Sequence, residues 1–298
     1  MSKEIKMEPI RVKKVDGFRP IVPKKSAFTI ETSLTTPKQP SLNVFTGRRG
    51  GGKTVAIVTL LKRLMDEGAV QRVVLVTPTY ESNRSLFAPL NIRDEDVLEP
   101  EKGAVALTQE IVEREVREWE DYNALLKKWR EFQKKRGDVY RLQHAFEDPA
   151  LLSPTPPKWK NNDPSHPVRV HVVYDDCLSL PVMARPSSGI VNQAAKHRHI
   201  GKGWGMGITY ATQAYASQGG LNRVIRENCT LLCIFKQTHD SMLRKILEES
   251  NFRDDVDEER FMDFLAYATE KPFGFLTIDQ APKSVDMMYR SGFNEFLN

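Results

Sequence analysis

The sequence predicts an α/β fold, a central and mostly parallel sheet flanked by helices, on three observations. Apolar runs of strand length recur at 42–46, 73–77, 168–174, 206–211 and 230–235. They are apolar at successive positions, the pattern of strands buried on both faces. Segments of helical period lie between or after them, at 55–65, 241–249 and 258–269. The strand–helix–strand spacing over 42–77 is that of a βαβ unit.

Composition narrows the class. The chain has 298 residues, 40% hydrophobic and 28% charged, an ordinary globular balance with room for one large domain or two small ones. Its longest apolar stretches, such as Leu231–Phe235, are too short to span a bilayer, so no membrane insertion is expected. The opening MSKEIKMEPIRVKK lacks the apolar core of a secretory signal. Cys177, Cys229 and Cys233 form no C-x-x-C pair and leave an odd thiol, which argues against a disulfide framework or a structural zinc. The net charge of +5 is local: residues 1–25 hold eight Lys/Arg against three Asp/Glu, and the remainder balances at 36 against 36. This is a basic arm on a neutral body, suited to phosphates or acidic partners or serving as a solubilising tail.

In chain order, residues 1–30 read as that arm, ending in an edge strand near 28–30, and residues 31–298 as the folded unit. Strand 42–46 leads into a glycine-rich run, a helix over 55–65 closed by Gly68, and strand 73–77. Over 101–150, Val112, Val116, Trp119, Tyr122, Leu126 and Trp129 recur at three- and four-residue steps among ten basic and eleven acidic residues. That is a long amphipathic helix or a helical hairpin inserted between strands, either packed on its own sheet or docking a partner. Residues 149–167 carry six prolines in nineteen positions and form a loop. The sheet resumes at 168–174, and a last strand is expected at 273–278.

The run Gly47-Arg48-Arg49-Gly50-Gly51-Gly52-Lys53-Thr54 matches G-x-x-x-x-G-K-[ST], with a strand before it and a helix after it. Glycines Gly47, Gly50, Gly51 and Gly52 let backbone N–H groups converge on a phosphate at the positive end of the helix. Lys53 reaches the β- and γ-phosphates, and the Thr54 hydroxyl is a Mg2+ ligand. A second magnesium anchor belongs at the end of a neighbouring strand, and Val170-His171-Val172-Val173-Tyr174-Asp175-Asp176 supplies one. Asp175 is the expected metal partner, and Asp176 the group that orients or deprotonates an attacking water. Strand 206–211 finishes near Gln213, a polar amide placed to contact a γ-phosphate or the lytic water. Lys196, His197, Arg198, His199 and Lys202 form a basic cluster, read as a loop facing DNA or offering an arginine to a neighbour's nucleotide. Arg223 and Arg226 are further arginine-finger candidates, active only in trans.

These segments together (GRRGGGKT, VHVVYDD, ITYATQ, then NRVIREN with the strand CTLLCIF) are similar to the FtsK/HerA superfamily, most of all to viral genome-packaging ATPases of the poxvirus, giant-virus and virophage type. KHRHIGKGWGMGITYATQ and FGFLTIDQ…MMYRSGF also resemble that family, and the likeness covers about residues 40–80 and 168–293. It implies an additional-strand, RecA-like P-loop NTPase with the Gln213 strand between the P-loop strand and the Asp175 strand. It implies ATP and Mg2+ as cofactors, a homo-oligomeric ring of six or five subunits, double-stranded DNA gripped without regard to sequence, and a capsid protein partner. Host cytoplasm, viral factory or virion is the implied location. By position, Lys53 and Thr54 fall in Walker A, Asp175 and Asp176 in Walker B, Gln213 at the sensor, and Arg226 or Arg223 at the finger. Asp at 176 departs from the commoner Glu.

Rival classes make different demands. A large terminase needs a nuclease domain, for which the residues after Phe235 are too few. Cellular conjugation or chromosome pumps usually carry membrane helices or a DNA-reading domain. A nucleotide-switched assembly protein would use the same P-loop without pumping, and DNA-stimulated turnover separates it from a motor.

Overall fold

Period-two burial along β1 (Leu42–Thr46) shows how the sheet divides the core. Leu42 and Val44 face one apolar layer and Phe45 the other, all fully buried. The same alternation runs through β2 (Arg72–Val76), where Val74 and Val76 oppose Val73 and Leu75. The computed structural model describes residues 29–134, 149–161, 163–216, 220–236, 240–249 and 256–298. The basic arm therefore lies almost wholly outside the described residues.

Following β1, α1 (Lys53–Asp66) returns the chain to β2, and α2 (Tyr80–Phe87) leads to the short β3 (Val97–Leu98). A 31-residue helix, α3 (Ala104–Lys134), precedes β4 (Val170–Tyr174). Two short helices, α4 (Pro181–Ala184) and α5 (Ile190–Lys196), lead into β5 (Gly207–Thr212). The chain continues through α6 (Arg223–Glu227), β6 (Leu231–Phe235), α7 (Asp240–Glu249) and α8 (Glu258–Thr269). It closes with β7 (Phe275–Asp279), β8 (Tyr289–Ser291) and β9 (Glu295–Phe296).

The sheet order is β3-β2-β4-β5-β1-β6-β7-β8-β9. The pairs from β3 to β6 are parallel, and β7, β8 and β9 are added antiparallel. β5 thus stands between the P-loop strand and β4, the additional-strand arrangement. Register fixes it: Tyr174 lies opposite Tyr210 with rings 5.3 Å apart. Both strand faces are covered, α1 and α2 packing on one, and α3, α5 and α8 on the other, as parallel strands require.

The insertion is one continuous helix over its described length. Its first half packs on the sheet through Val105, Ile111, Val112 and Val116. Its second half is held by the proline-rich loop: the Trp119 indole donates to the Pro164 carbonyl and Trp129 to that of Ser153, each at 2.9 Å. The packing on its own sheet is the reading supported. Of the edge strand expected near 28–30, Phe28 lies outside the described residues, and Ile30 makes an isolated antiparallel bridge to Gln39. The β8–β9 hairpin has no counterpart in the sequence pattern; Arg290 on β8 is buried against Asp279 at 2.9 Å.

Candidate nucleotide-binding site

The turn between β1 and α1 is built by glycine. Gly50 and Gly52 have φ of 71° and 96°, values that L side chains rarely adopt. A Cβ at Gly47 would stand 2.5 Å from the Cβ of Phe235, so the turn lies tight against β6. Gly52 caps α1, whose first turn carries no acidic residue; its free N–H groups and helix dipole favour an anion there. Lys53 is buried, and its ammonium donates to the carbonyls of Gly47 and Arg48, each at 3.0 Å. Burial lowers its pKa, while Asp176 and Asp175 pull it back up.

β4 delivers the two carboxylates to the same sheet edge. Asp175 is buried and Asp176 exposed, and Asp176 sits at φ 50°, a left-handed conformation that Asp tolerates better than most residues. Thr54 Oγ1 donates to Asp175 Oδ2 at 3.3 Å, joining the P-loop to the end of β4. Burial and then the neighbouring Asp176 push Asp175 up to about 6, against the Thr54 hydrogen bond and Lys53. An all-oxygen donor pair at a desolvated carboxylate fits a hard divalent cation, which would relieve that burial.

Two cavities open on these groups. One, of about 370 Å³, is lined by Gly50 to Val55, Thr79, Asn83 and Phe273 as well as Asp176. The other, of about 380 Å³, lies between Asp176, Ser179, Thr212 and Gln213. Arg49, Thr79 and Asp176 border both. The structure thus brings Lys53, Thr54, Asp175, Asp176 and Gln213 together. Sequence reasoning missed Arg49 and Thr79: the first occupies a variable position of the motif, and the second follows β2 with no motif of its own.

The arginines are not equivalent. Arg226 is buried in an ion pair with Glu249 and lies 5.4 Å from the Tyr215 ring centre. Its guanidinium is paired within its own chain, with Glu249 and the Leu221 carbonyl. Arg223 is 78% exposed and pairs, among the described residues, with Glu227 one turn along. The basic cluster also divides. His197 is buried with Nδ1 2.8 Å from the Ala194 carbonyl, so it does not reach the surface. Lys202 pairs with Glu120. Arg198 and His199 border a cavity of about 490 Å³ with Lys38, Thr230 and Asp279, at the sheet edge opposite the P-loop.

Strand order and glycine turn together define an additional-strand P-loop NTPase fold. No family model matches the chain, and no curated protein does. Among solved structures it is similar to B204, the DNA-packaging ATPase of Sulfolobus turreted icosahedral virus, at 14% identity over 86% of this chain and 97% of that one, with a TM-score of 0.43. It is similar to the pCW3 conjugation coupling protein TcpA at 13% identity over 84% of this chain and 59% of that one, TM-score 0.43. It is also similar to ATPases 2 and 3 of EssC from Geobacillus thermodenitrificans at 13% identity over 74% of this chain, TM-score 0.41, where it spans 36% of the EssC chain.

Proposed function

We propose that this chain is an ATP-hydrolysing motor that moves double-stranded DNA, and that it packages a viral genome into a capsid. The observation that carries the hydrolytic reading is the 3.3 Å contact between Thr54 and Asp175, with Asp176 and Gln213 facing one cavity beside it. The DNA half is supported by the motif resemblance and by the arm's eight basic against three acidic residues.

In this reading the 47–52 turn and the N-terminus of α1 bind the triphosphate, and Lys53 neutralises its β- and γ-oxygens. Thr54 and Asp175 would hold Mg2+, which when bound supplies charge neutralisation between the same phosphates. Gln213 orients a water in line with the γ-phosphorus, and Asp176 accepts its proton as the new P–O bond forms and the bond to the ADP oxygen breaks. Arg223 of a neighbouring subunit in a ring of six or five completes the charge stabilisation. Phosphate release then shifts basic segments along the DNA backbone. The grip is sequence-independent and weakens steeply with salt.

Steady-state ATP hydrolysis with and without long double-stranded DNA tests it, with Lys53→Ala as the blank. DNA stimulation that Lys53→Ala abolishes supports the motor. Hydrolysis indifferent to DNA removes the pumping half and favours a nucleotide-switched assembly protein.

A further inference from the structure

The sheet order gives the bound nucleotide a direction. Asp175, Asp176 and Gln213 follow β4 and β5, on one side of β1, while β6 and β7 lie on the other. A triphosphate with its terminal phosphate at Asp176 and Gln213 therefore runs its sugar and base toward β6 and β7. Because β7 is antiparallel to β6, with Phe275 opposite Phe235, the loop entering β7 returns to the P-loop edge of the sheet. The Phe235 and Phe275 rings stack at 4.8 Å and fix that return.

In that loop Phe273 combines two costs that packing does not offset. Its φ is 64°, a left-handed conformation unfavourable for a bulky side chain, yet it is 69% exposed. The next residue cannot be other than glycine without movement, since a Cβ at Gly274 would stand 2.3 Å from the Ala268 carbonyl oxygen. The turn so formed lays Phe273 on the P-loop, where a Cβ at Gly52 would meet the Cβ of Phe273 at 3.1 Å and its Cδ1 at 3.2 Å. Phe273 borders the P-loop cavity on one side. On the other it borders a cavity of about 310 Å³ lined by Arg48, Lys236, Thr269, Glu270 and Lys271.

We propose that this second cavity receives the nucleobase and that Phe273 is the platform on which the base stacks. The assignment rests on the P-loop binding the triphosphate. An exposed aromatic ring lying against the phosphate turn at Gly52 offers an apolar face where a base emerges, and every base has a π-face to lay on it. Arg48, Lys236 and Lys271 make the surroundings cationic, which suits a nucleotide over a neutral ligand. Phe273 thus sets affinity for the nucleoside end while Lys53 and the turn hold the phosphates.

The test separates base from phosphate. Mg2+-ATP and Mg2+-tripolyphosphate are titrated calorimetrically into the full-length protein and into Phe273→Gly, since glycine adopts this backbone without strain and the fold is checked by melting. The expected result is ATP affinity weakened about 5- to 150-fold with tripolyphosphate within twofold of wild type. A second variant, F273W, should show indole fluorescence quenched by ATP and not by tripolyphosphate, measured against the wild-type background. Unchanged ATP affinity in Phe273→Gly overturns the platform and leaves the phosphate site standing. Equal loss of both ligands also overturns it, making Phe273 a prop for the P-loop. If wild type binds neither ligand, the phosphate reading itself falls.

Discussion

Arg226 and Glu249 hold each other at two points, Nε donating to Oε2 at 2.6 Å and Nη2 to Oε1 at 2.8 Å. The pair ties α6 to the last turn of α7, and both side chains are largely buried. Such a fork lowers the Glu249 pKa and raises that of Arg226, each first through their shared hydrogen bonds. Arg226→Ala would strand a largely buried carboxylate and should lower unfolding free energy by about 1–3 kcal/mol. Arg223→Ala, at an exposed position, should change stability by less than about 0.5 kcal/mol yet reduce turnover if Arg223 acts in trans. Melting and hydrolysis measured on both variants decide it: a stable, inactive Arg226→Ala would restore Arg226 as the finger.

Asp175 carries the opposite trade. Its carboxylate is 2% exposed and lies beside Asp176, so ionisation costs more in the folded chain than in the unfolded one. Asp175→Asn keeps an oxygen to accept from Thr54 and removes the charge. The metal-free protein should gain about 1–3 kcal/mol of stability, while hydrolysis falls at least about a hundredfold with the loss of the cation's anchor. Denaturant titration in chelator and a turnover assay check the two halves. A destabilised Asp175→Asn would mean the carboxylate is held by its surroundings.

What the sequence disclosed follows from which interactions are local. Gly47 to Thr54 was legible because a phosphate turn demands fixed spacing, and β4 because a doubly buried strand leaves an unbroken apolar run before its two carboxylates. The meeting of Asp176 with Gln213 depends on strand order, which periodicity does not encode and only the family resemblance implied. Buried charge was opaque. Arg290, fully buried against Asp279, reads in sequence as a surface arginine. His197 sits in a run that reads as solvated, because its partner, the Ala194 carbonyl, is backbone and carries no sequence signal. Phe273 was hidden for the same reason: its exposure and its contact with Gly52 arise from the reversal of β7.

The heart of the edge between β2 and α3 is Arg72. Nη2 approaches Asp96 Oδ1 and Nη1 approaches Glu115 Oε1, each at 2.5 Å, and both carboxylates are 1% exposed. Arg72→Ala strands the buried Asp96 carboxylate and leaves Glu115 to Lys160, and should cost about 3–5 kcal/mol, enough to threaten folding. Glu115→Gln retains an acceptor for Arg72 and should cost less, about 1–2 kcal/mol. Urea unfolding of the two variants gives the order. A penalty below about 1 kcal/mol for Arg72→Ala would show that water reaches the network.

Acid sensitivity should trace to histidine. His171 in β4 is fully buried, with Nε2 2.7 Å from the Thr209 hydroxyl. Burial, then the neighbouring His197, pushes its pKa down from 6.5 to about 3, and His197 is itself pushed down to about 4, chiefly by burial. Both histidines are neutral in the folded and unfolded chains above pH 6.5, where neither affects stability. Below it the unfolded chain takes up protons that the folded chain refuses. Stability therefore falls with pH by about 1.4 kcal/mol per unit for each histidine until the folded pKa is reached. His171→Gln keeps a group able to reach Thr209 and removes one of the two titrations. Its stability relative to wild type should rise by about 1.4 kcal/mol per unit as pH falls from 6 to 4.5. Urea unfolding across pH 8 to 4.5 measures that difference, and parallel curves for the two proteins would mean that His171 is protonated as readily folded as unfolded.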